Sequence, residues 1–475
     1  MCIKPVDQPL FDQLRDSAEV ADMPLKKPLR ILLCSESVPP QVNGIARRIG
    51  HYYQGLTDLG CDVELLSPNS KGVWKHTNPW NFTALMMVLF PGYFLSLMAQ
   101  DYDVLHVVMP SNISGFWLLV GYKLISFFSK KRSPALVISW HCNLVDYLEF
   151  HFPKLFSIFA RICFDMIFSV FPEFCDRLLT PTLATEPLLT DKFTTGKVER
   201  RAVCYTGIDK KNFHPGWKHT KAGKLWKERK ESFLKQANKK HLIICVGRLS
   251  PEKGVEELIQ TMSLLPNCAL WLVGDGPDRP KYEALAKGLD APVQFLGYQR
   301  GEALFSVYNM ADIFVCPSTS ETFGQIVTEA LASEVRVALP AVKVFTEAFG
   351  ESIPQDAFWQ PLDRQGMATA IKIQLDRHDQ NSEVGKPDAT KIKSWSDSCS
   401  SLLEDYALAQ ELAQNRPTES RLRKRTIAFI LPVWVFVSII IANWFYLLSV
   451  VRGALGGCSL RLYIRTMLNQ LSKEE

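Results

Sequence analysis

The sequence predicts an α/β protein in which two Rossmann-like domains face each other across a cleft and a transmembrane helix follows near the C-terminus. The chain has 475 residues, which is long for a single hydrophobic core. Short apolar runs alternate with longer helical segments in two separate blocks, a pattern typical of parallel sheets covered by helices. One late stretch of 26 residues carries no charge and is long enough to cross a bilayer.

The two blocks define the predicted domains. An N-terminal extension precedes the first Rossmann-like domain, and a polar, basic linker separates that domain from the second one. A helical segment with a basic flank then leads to the transmembrane helix and a short tail. The predicted boundaries, in this order, are 1–28, 29–206, 207–240, 241–375, 376–425, 426–451 and 452–475.

The first block opens with a strand, a loop containing two adjacent prolines, a helix and a second strand. This order is a β-α-β unit, and further strand-like runs alternate with helical stretches after it. The predicted strands of the first domain are RILLC, DVELLSP, DVLHVV, ALVISW and RLLTPT.

The second block repeats the pattern after a polar interruption. Residues 217–240 are basic and show no strand signal, so they are interpreted as a solvated helix or a linker. The predicted strands that follow are LIICV, ALWLVG, PVQFLGY and ADIFVCPS. Two such domains leave a cleft at the carboxyl ends of their strands, where ligands bind to sheets of this kind.

Overall composition excludes one class of partner. The 54 basic residues are nearly balanced by 49 acidic ones, whereas nucleic-acid binders show a domain-wide basic excess. No nucleic-acid partner is therefore expected. The 12 cysteines include no CxxC pair and are interpreted as reduced and structural.

The uncharged stretch at 426–451 is predicted to be a single membrane-spanning helix. Basic residues crowd its N-terminal flank, and fewer follow it. The positive-inside rule therefore predicts that the preceding domains lie on the cytoplasmic side of the membrane. An organelle or plastid membrane is equally compatible with this prediction. The flanking residues are Arg421, Arg423, Lys424 and Arg425.

A first cluster of polar residues follows the run LIICV. Gly247 and Arg248 come just after this strand, and Lys253 stands at the start of the next helix. Two cations beside a helix N-terminus can converge on a dianionic group such as a diphosphate. Charged residues at strand ends are also commonly solvated, so this cluster alone leaves both interpretations open.

A second cluster favours a ligand site. Glu321 and Glu329 stand eight residues apart at a junction between a strand and a helix. The first carboxylate can face the floor of the cleft, and the second lies about one helical turn further in. Backbone N–H groups between them can point at phosphate oxygens. The residues that contribute these groups are Thr322, Phe323, Gly324 and Gln325.

With these clusters the chain resembles the GT4 family of retaining glycosyltransferases, whose GT-B fold consists of two facing Rossmann-like domains. The resemblance covers residues 29 to about 415 and includes the order and spacing of the motifs. It implies transfer of a sugar from a nucleotide-sugar donor with retention of the anomeric configuration. The matching motifs are PPQVNG, SWHCN, YTGIDKKNFHP, GRLSPEKG, VGDGP and the pair of glutamates.

The resemblance implies roles for four residues of the second domain. Arg248 and Lys253 would neutralise the donor diphosphate and stabilise its departure. Glu321 would contact hydroxyls of the transferred sugar. Glu329 would bind the ribose hydroxyls of the nucleotide.

The first domain contributes two further matches. Gly44 matches the glycine of a loop that lets the backbone approach the donor phosphate. His141 matches the histidine that faces the reacting sugar, although a packed histidine after a strand is the simpler alternative from residue type alone. No metal and no other cofactor are expected, in accord with the family.

The chain departs from the family in the segment after the second glutamate. Glu334 stands where the family usually has a glycine, and Ala341, Val342 and Lys343 replace a Gly-Gly turn. In the family this loop lines the donor site, so the resemblance does not carry the usual sugar contacts over to these residues. Lys343 is a candidate contact for a sulfonated donor sugar.

Several apolar stretches point to a lipid acceptor. Residues 82–99, 115–128 and 152–171 are interpreted as helical and rich in Phe, Met and Leu. Core packing accounts for most of them. A bilayer-docking face is the alternative, with nearby cations meeting anionic headgroups. These cations are Lys123, Lys130, Lys131 and Arg132.

Within the family, the PPQVNG and SWH segments look most like sulfoquinovosyldiacylglycerol synthases and related glycolipid mannosyltransferases. The expected donor is then a UDP-sugar such as UDP-sulfoquinovose, and the expected acceptor is diacylglycerol. A mannosyl- or N-acetylglucosaminyltransferase acting on a phosphoinositide or another lipid is the alternative. A catalytically silent subunit that binds sugar nucleotides is a hypothesis from another class. A hydrolase or epimerase is disfavoured because it would need no membrane anchor.

Overall fold

The computed structural model describes residues 28–41, 43–71, 73–77, 85–89, 91–109, 134–141, 175–185 and 201–414, together with positions 115, 118, 119, 121 and 122. Within these ranges no helix combines the length and the apolar character needed to cross a membrane. The predicted transmembrane helix at 426–451 lies outside the described residues.

The N-terminal part is built on a parallel sheet. Its strands are β1 (Arg30–Cys34), β2 (Asp62–Leu66), β3 (Val73–Thr77), β4 (Leu85–Leu89), β5 (Val104–Met109), β6 (Ala135–Trp140), β7 (Arg177–Thr180) and β8 (Arg201–Val203). The sheet order is β2-β1-β5-β6-β7-β8, and β3 pairs with β4 as a separate antiparallel ribbon. The helices are α1 (Gly44–Asp58) and α2 (Pro91–Ala99).

The second part repeats this architecture. Its strands are β9 (His241–Val246), β10 (Cys268–Val273), β11 (Val293–Gly297), β12 (Ile313–Val315), β13 (Val337–Pro340) and β14 (Phe358–Trp359). They form a parallel sheet in the order β11-β10-β9-β12-β13-β14. Its helices are α3 (Lys221–Ala237), α4 (Val255–Thr261), α5 (Arg279–Gly288), α6 (Gly301–Met310), α7 (Gln325–Ala332), α8 (Lys343–Phe349) and α9 (Arg364–Asp379), and α10 (Trp395–Gln414) follows them in the chain.

The two parallel sheets confirm the prediction of two Rossmann-like units. Each sheet reverses its strand order beside its first strand, between β1 and β5 and between β9 and β12. Ligands bind outside the carboxyl ends of strands at such points. Most of the predicted site residues lie on loops that leave β1, β9 and β12 at these positions, and His141 follows β6.

One predicted helical stretch is partly wrong. Residues 85–89, within the stretch 82–99, form strand β4, which pairs with β3, and the helix begins only at Pro91. Helical backbone is disfavoured for the residue that precedes a proline. A short apolar run such as LMMVL can form either a helix or a strand, and here its pairing with β3 makes it a strand.

The segment predicted as a linker contains a helix that packs on the second sheet. Trp226 of α3 meets Trp271 of β10 edge to face, with ring centroids 5.6 Å apart. Phe213 lies in the same apolar cluster and is 2% exposed. Apart from the exposed Leu225, the remaining face of α3 is polar and mostly exposed, as in an amphipathic surface helix.

The last described helix returns to the first sheet. Trp395 and Tyr406 of α10 are buried among residues of β1, β6 and α1. Arg177 donates from Nη2 to Oδ1 of Asp405 over 2.7 Å, and both side chains are mostly buried. This helix, which falls within the helical segment predicted at 376–425, thus belongs to the first core.

The apolar stretches of the first domain are core residues where the structure describes them. Leu97, Leu118 and Leu119 are fully buried beside the sheet. Leu95 is the exception and is 64% exposed. Most of 115–128, all of 152–171 and the predicted headgroup contacts Lys123, Lys130, Lys131 and Arg132 lie outside the described residues. The described cysteines are buried and form no disulfide with one another.

Candidate active site

Three loops meet at the carboxyl edge of the second sheet. They follow the neighbouring strands β10, β9 and β12. A Cβ placed on Gly276 would lie 2.3 Å from the carbonyl oxygen of Leu249, and one on Gly254 would lie 2.6 Å from that of Pro317. Glycine is therefore required for the three loops to approach so closely.

This packing brings the two polar clusters together. Lys253 donates from Nζ to Oε1 of Glu321 over 2.6 Å, and the side chains are 26% and 16% exposed. Burial lowers the pKa of Lys253, but the charge and hydrogen bond of Glu321 outweigh it and leave this pKa above its ordinary value. Lys253 is therefore a cation at neutral pH.

The loop after Glu321 turns into α7 through Gly324. The φ of Gly324 is 96°, a left-handed conformation that favours glycine. A Cβ at this position would also lie 2.6 Å from the ring of Phe345. The first N–H groups of α7 have no acceptor within the helix, so they are available at this edge for an anion.

Glu329 lies one turn into α7 and is 4% exposed. Arg47 of α1, in the first domain, donates from Nη1 to its Oε1. The hydroxyl of Tyr308 donates to its Oε2 over 2.8 Å. Both carboxylate oxygens therefore have a donor, and one of these donors crosses the cleft.

The first domain reaches the same place through its own loops. Gly44 begins α1, and a Cβ on it would lie 3.5 Å from Oε1 of Gln325. The hydroxyl of Thr322 donates to the carbonyl oxygen of His141 over 3.1 Å. The hydroxyls of Thr182 and Thr185 donate to the carbonyl oxygen of Thr322 over 3.2 and 3.3 Å. The loop before α7 is thus held against the first sheet.

His141 is buried directly after β6. Its Nδ1 lies 3.1 Å from Nη1 of Arg48, and its Nε2 has no hydrogen-bond partner among the described residues. Burial, then Arg48 and His106, lower the pKa of His141 well below its usual range. The imidazole is therefore neutral.

Two cations of this arrangement are paired with carboxylates. Lys253 and Glu321 compensate each other, as do Arg47 and Glu329. Arg248 has no carboxylate partner within the described part of the chain. A site with fixed cations and a helix N-terminus at one sheet edge can hold a diphosphate, and its carboxylates can bind sugar hydroxyls.

Comparison with known proteins identifies the family. Residues 227–386 match the model of the glycosyl transferases group 1. The sulfoquinovosyl transferase of Arabidopsis thaliana is 25% identical over 384 residues, covering 76% of this chain and 70% of that protein. Residues 227–386 therefore form a group 1 glycosyltransferase domain, and the chain is a glycosyltransferase.

Other relatives of this glycosyltransferase cover more of its length. A GDP-mannose-dependent alpha-mannosyltransferase of Corynebacterium glutamicum is 25% identical over 432 residues, covering 87% of this chain and 97% of that protein. An alpha-monoglucosyldiacylglycerol synthase of Acholeplasma laidlawii is 24% identical over 347 residues, covering 68% and 83%.

Solved structures agree with the GT-B fold. The sucrose-phosphate synthase from Thermosynechococcus elongatus superposes with a TM-score of 0.54 at 19% identity, covering 84% of this chain and 99% of that chain. The catalytic domain of starch synthase IV from Arabidopsis thaliana gives 0.56 at 15% identity, covering 81% and 100%. These superpositions support a GT-B fold with two parallel Rossmann-like sheets for this glycosyltransferase.

Most of the residues predicted for the site contact one another in this glycosyltransferase. Lys253 meets Glu321, Thr322 meets His141, and Gln325 lies beside Gly44. Gly247 packs against Gly274, because a Cβ on Gly274 would lie 1.9 Å from the Gly247 carbonyl oxygen.

Other predicted residues lie at the margin of this site. Phe323 packs on Phe349, with ring centroids 5.8 Å apart, and belongs to the wall behind the loop. Lys343 is exposed at the first position of α8. That helix touches the first domain through Glu347, which accepts from the N–H of Ala184 over 2.7 Å.

Sequence reasoning missed three residues of this site, namely Arg47, Arg48 and Tyr308. A signal existed for Arg48, because it lies four residues before Tyr52 and eight before Leu56, on the apolar face of α1. A cation on such a face requires a buried partner. Nothing local in the sequence marks Arg47 or Tyr308, since each reaches Glu329 through the tertiary fold.

Proposed function

We propose that this nucleotide-sugar glycosyltransferase attaches its sugar to a membrane lipid with retention of configuration, and that UDP-sulfoquinovose and diacylglycerol are its substrates. The observation that supports this proposal most directly is the Lys253–Glu321 pair beside the start of α7. The neighbouring Thr322 bonds to His141 of the other domain. This geometry supports a donor site with its diphosphate on the second sheet and its sugar toward the first. The names of two relatives, a sulfoquinovosyl transferase and a diacylglycerol glycolipid synthase, support the choice of substrates.

Departure of the nucleoside diphosphate is the step that the site must assist. Negative charge grows on the β-phosphate as the bond to the sugar breaks. Arg248, Lys253 and the first N–H groups of α7 supply positive charge and hydrogen bonds in a largely buried place, where they act more strongly than in water. Because Glu321 keeps Lys253 in position before the donor arrives, little reorganisation is needed.

The two carboxylates are proposed to hold hydroxyl groups of the donor. Glu321 lies next to Lys253 and so beside the phosphate end of the sugar. Glu329 is deeper and suits the ribose. Its Oε1 accepts from Arg47 in this structure, so we expect a ribose hydroxyl to take over that oxygen as the nucleotide binds.

The acceptor is proposed to arrive from a bilayer. The name of the diacylglycerol glycolipid synthase among the relatives supports membrane association, and the apolar stretches of the first domain are proposed to supply the docking face. Membrane association on the cytoplasmic side, through this face and the predicted helix at 426–451, together with contact to anionic headgroups, is part of the proposal.

The test is a transfer assay with the full-length protein in lipid vesicles. The donors are UDP-sulfoquinovose, UDP-glucose, UDP-N-acetylglucosamine and GDP-mannose, and the acceptors are diacylglycerol and phosphatidylinositol. Mass spectrometry of the lipid extract identifies the product. We expect sulfoquinovosyldiacylglycerol from the wild type and from Glu334→Ala, and no product from Glu321→Ala.

Lys343 is proposed to contact the sulfonate because it is an exposed cation beside the altered loop. Lys343→Ala should then slow transfer from UDP-sulfoquinovose more than transfer from UDP-glucose. Equal rates for the variant and the wild type with the sulfonated donor would exclude this contact.

A mannosyltransferase is the second candidate. It is favoured by the GDP-mannose-dependent relative, of which the alignment covers 97%. Mannosyl lipid in the same assay, without sulfolipid, would select it. Binding of donors without any product would instead favour a silent sugar-nucleotide-binding subunit.

A further inference from the structure

Arg48 is a buried cation that contacts His141. It lies on α1 and is 5% exposed. Its Nη1 is 3.1 Å from Nδ1 of His141 and donates to the carbonyl oxygen of Cys204 over 3.2 Å. The guanidinium also lies 5.9 Å from the ring centre of Tyr52. The contact with His141 therefore joins two side chains that are both held by the core.

This contact decides which nitrogen of His141 carries the proton. A guanidinium can only donate hydrogen bonds, so Nδ1 must accept. A neutral imidazole then has its proton on Nε2. That N–H is buried and has no acceptor among the described residues. A buried donor without an acceptor costs free energy unless a ligand supplies one.

Arg48 also opposes protonation of His141, in addition to the larger effect of burial. The other titratable groups around this contact are His106 on β5, Tyr52 on α1 and Cys204 after β8. His106 bonds to Tyr406 and Ser139, and its pKa falls to about 3 through burial and Arg48. Burial is the main cause of the raised pKa of both Tyr52 and Cys204. These three groups are thus neutral at neutral pH, and Arg48 is the cation that opposes protonation of His141.

We propose that Arg48 is a positioning residue that holds His141 as the neutral Nε2–H tautomer. His141 then donates a hydrogen bond to an oxygen of the transferred sugar and does not accept a proton from the acceptor. The part concerning the sugar rests on the proposed function. The hydrogen bond from the hydroxyl of Thr322 to the carbonyl oxygen of His141 fixes the same histidine relative to the donor loop.

Nitrogen NMR of the full-length protein with isotope-labelled histidine tests the tautomer, with His141→Gln to assign the signal. We expect the wild-type His141 to show a protonated Nε2 and an unprotonated Nδ1 throughout the range from about pH 5 to 8. A protonated Nδ1 in the wild type would overturn the proposal without any variant.

Substitution of Arg48 tests whether this residue is what holds His141 in its neutral Nε2–H form. Arg48→Met should let His141 titrate at a higher pH and should lower kcat on the order of a hundredfold, with a smaller change in the KM for the donor. Arg48→Lys keeps a cation and a donor and should restore part of both properties. An unchanged His141 titration in Arg48→Met would contradict the proposal.

The matched control is Tyr52→Phe. It removes a hydroxyl that lies 2.6 Å from Sγ of Cys204 in the same buried cluster but has no hydrogen bond to His141. We expect it to leave the tautomer and titration of His141 unchanged. A shift of the His141 titration as large as that in Arg48→Met would show that Arg48 has only a structural role. Absence of transfer by the wild type would contradict the proposed function, whereas the spectra would still decide the role of Arg48.

Discussion

Glu334 has a backbone conformation that suits another residue. Its φ is 57°, in the left-handed region, and it follows Ser333, which caps the end of α7. The resemblance to the GT4 family implied a glycine at this position, and the left-handed φ gives a physical reason for one. A side chain with a Cβ is strained in this conformation, and glycine is not.

Glu334→Gly should therefore stabilise the fold. We expect the free energy of unfolding to rise by about 0.5–1 kcal/mol, because relief of strain exceeds the entropy that glycine gains in the unfolded chain. Thermal melting measures this change. Glu228→Gly, in the middle of α3, is the matched control and should lower stability by about 1 kcal/mol. A lower melting temperature for Glu334→Gly would contradict the argument.

At the scale of elements, the parallel strands were the most predictable feature. Strands such as β5 and β6 are buried on both faces, so they appear in the sequence as continuous apolar runs bounded by polar residues. The same property made β4 ambiguous, because its apolar run could equally form a helix. The loops that follow β9 and β12 were predicted to form the site because they leave neighbouring strands at one edge.

The junction at Gly324 is the most constrained of these loops. Gly324→Ala should lower the free energy of unfolding by about 1–3 kcal/mol, because the new Cβ would meet Phe345 and the backbone would be strained. It should also reduce transfer activity by shifting Thr322 away from His141. Calorimetry and initial rates measure the two effects.

Gly288→Ala provides the comparison. It lies in α5 with nothing within 4 Å of the new Cβ, and there alanine should stabilise by about 0.5–1 kcal/mol. Equal stability of the two alanine variants would show that Gly324 is not required at the turn.

At the scale of the whole molecule, the site depends on contacts that no local pattern encodes. Arg47 and Glu329 are 282 residues apart and meet only when the two domains face each other. The return of α10 to the first sheet places Trp395 against His51, with ring centroids 4.3 Å apart. Such pairs form only when whole domains pack together, so the sequence alone does not indicate that the two residues of a pair lie close to each other.

Buried histidines make the first domain sensitive to acid. Burial, together with Arg47 for His51 and Arg48 for His106, lowers the pKa of each of these histidines to about 3. The unfolded chain binds protons below about pH 6.5, whereas the folded chain binds them only near the lowered pKa. The free energy of unfolding therefore keeps its full value above about pH 6.5. It falls toward pH 3, by up to about 1.4 kcal/mol per pH unit for each histidine.

His51→Phe should weaken this dependence, because phenylalanine keeps the stacking on Trp395 and cannot bind a proton. Between about pH 7 and 5 we expect the variant to lose about 1–2 kcal/mol less than the wild type. Melting curves over this range measure the slope. Parallel curves for the two proteins would contradict a neutral, buried His51.

The most direct test of the whole account is the initial rate at which Lys253→Met transfers labelled sugar into lipid. Lys281→Met is the control, because Lys281 forms a comparable ion pair with Glu256 over 2.5 Å, but on the exposed surface of α5. We predict a fall in kcat on the order of a hundredfold or more for Lys253→Met, with a folded protein and an unchanged rate for the control. Wild-type rates in a folded Lys253→Met protein would contradict a donor diphosphate bound at this edge of the second sheet.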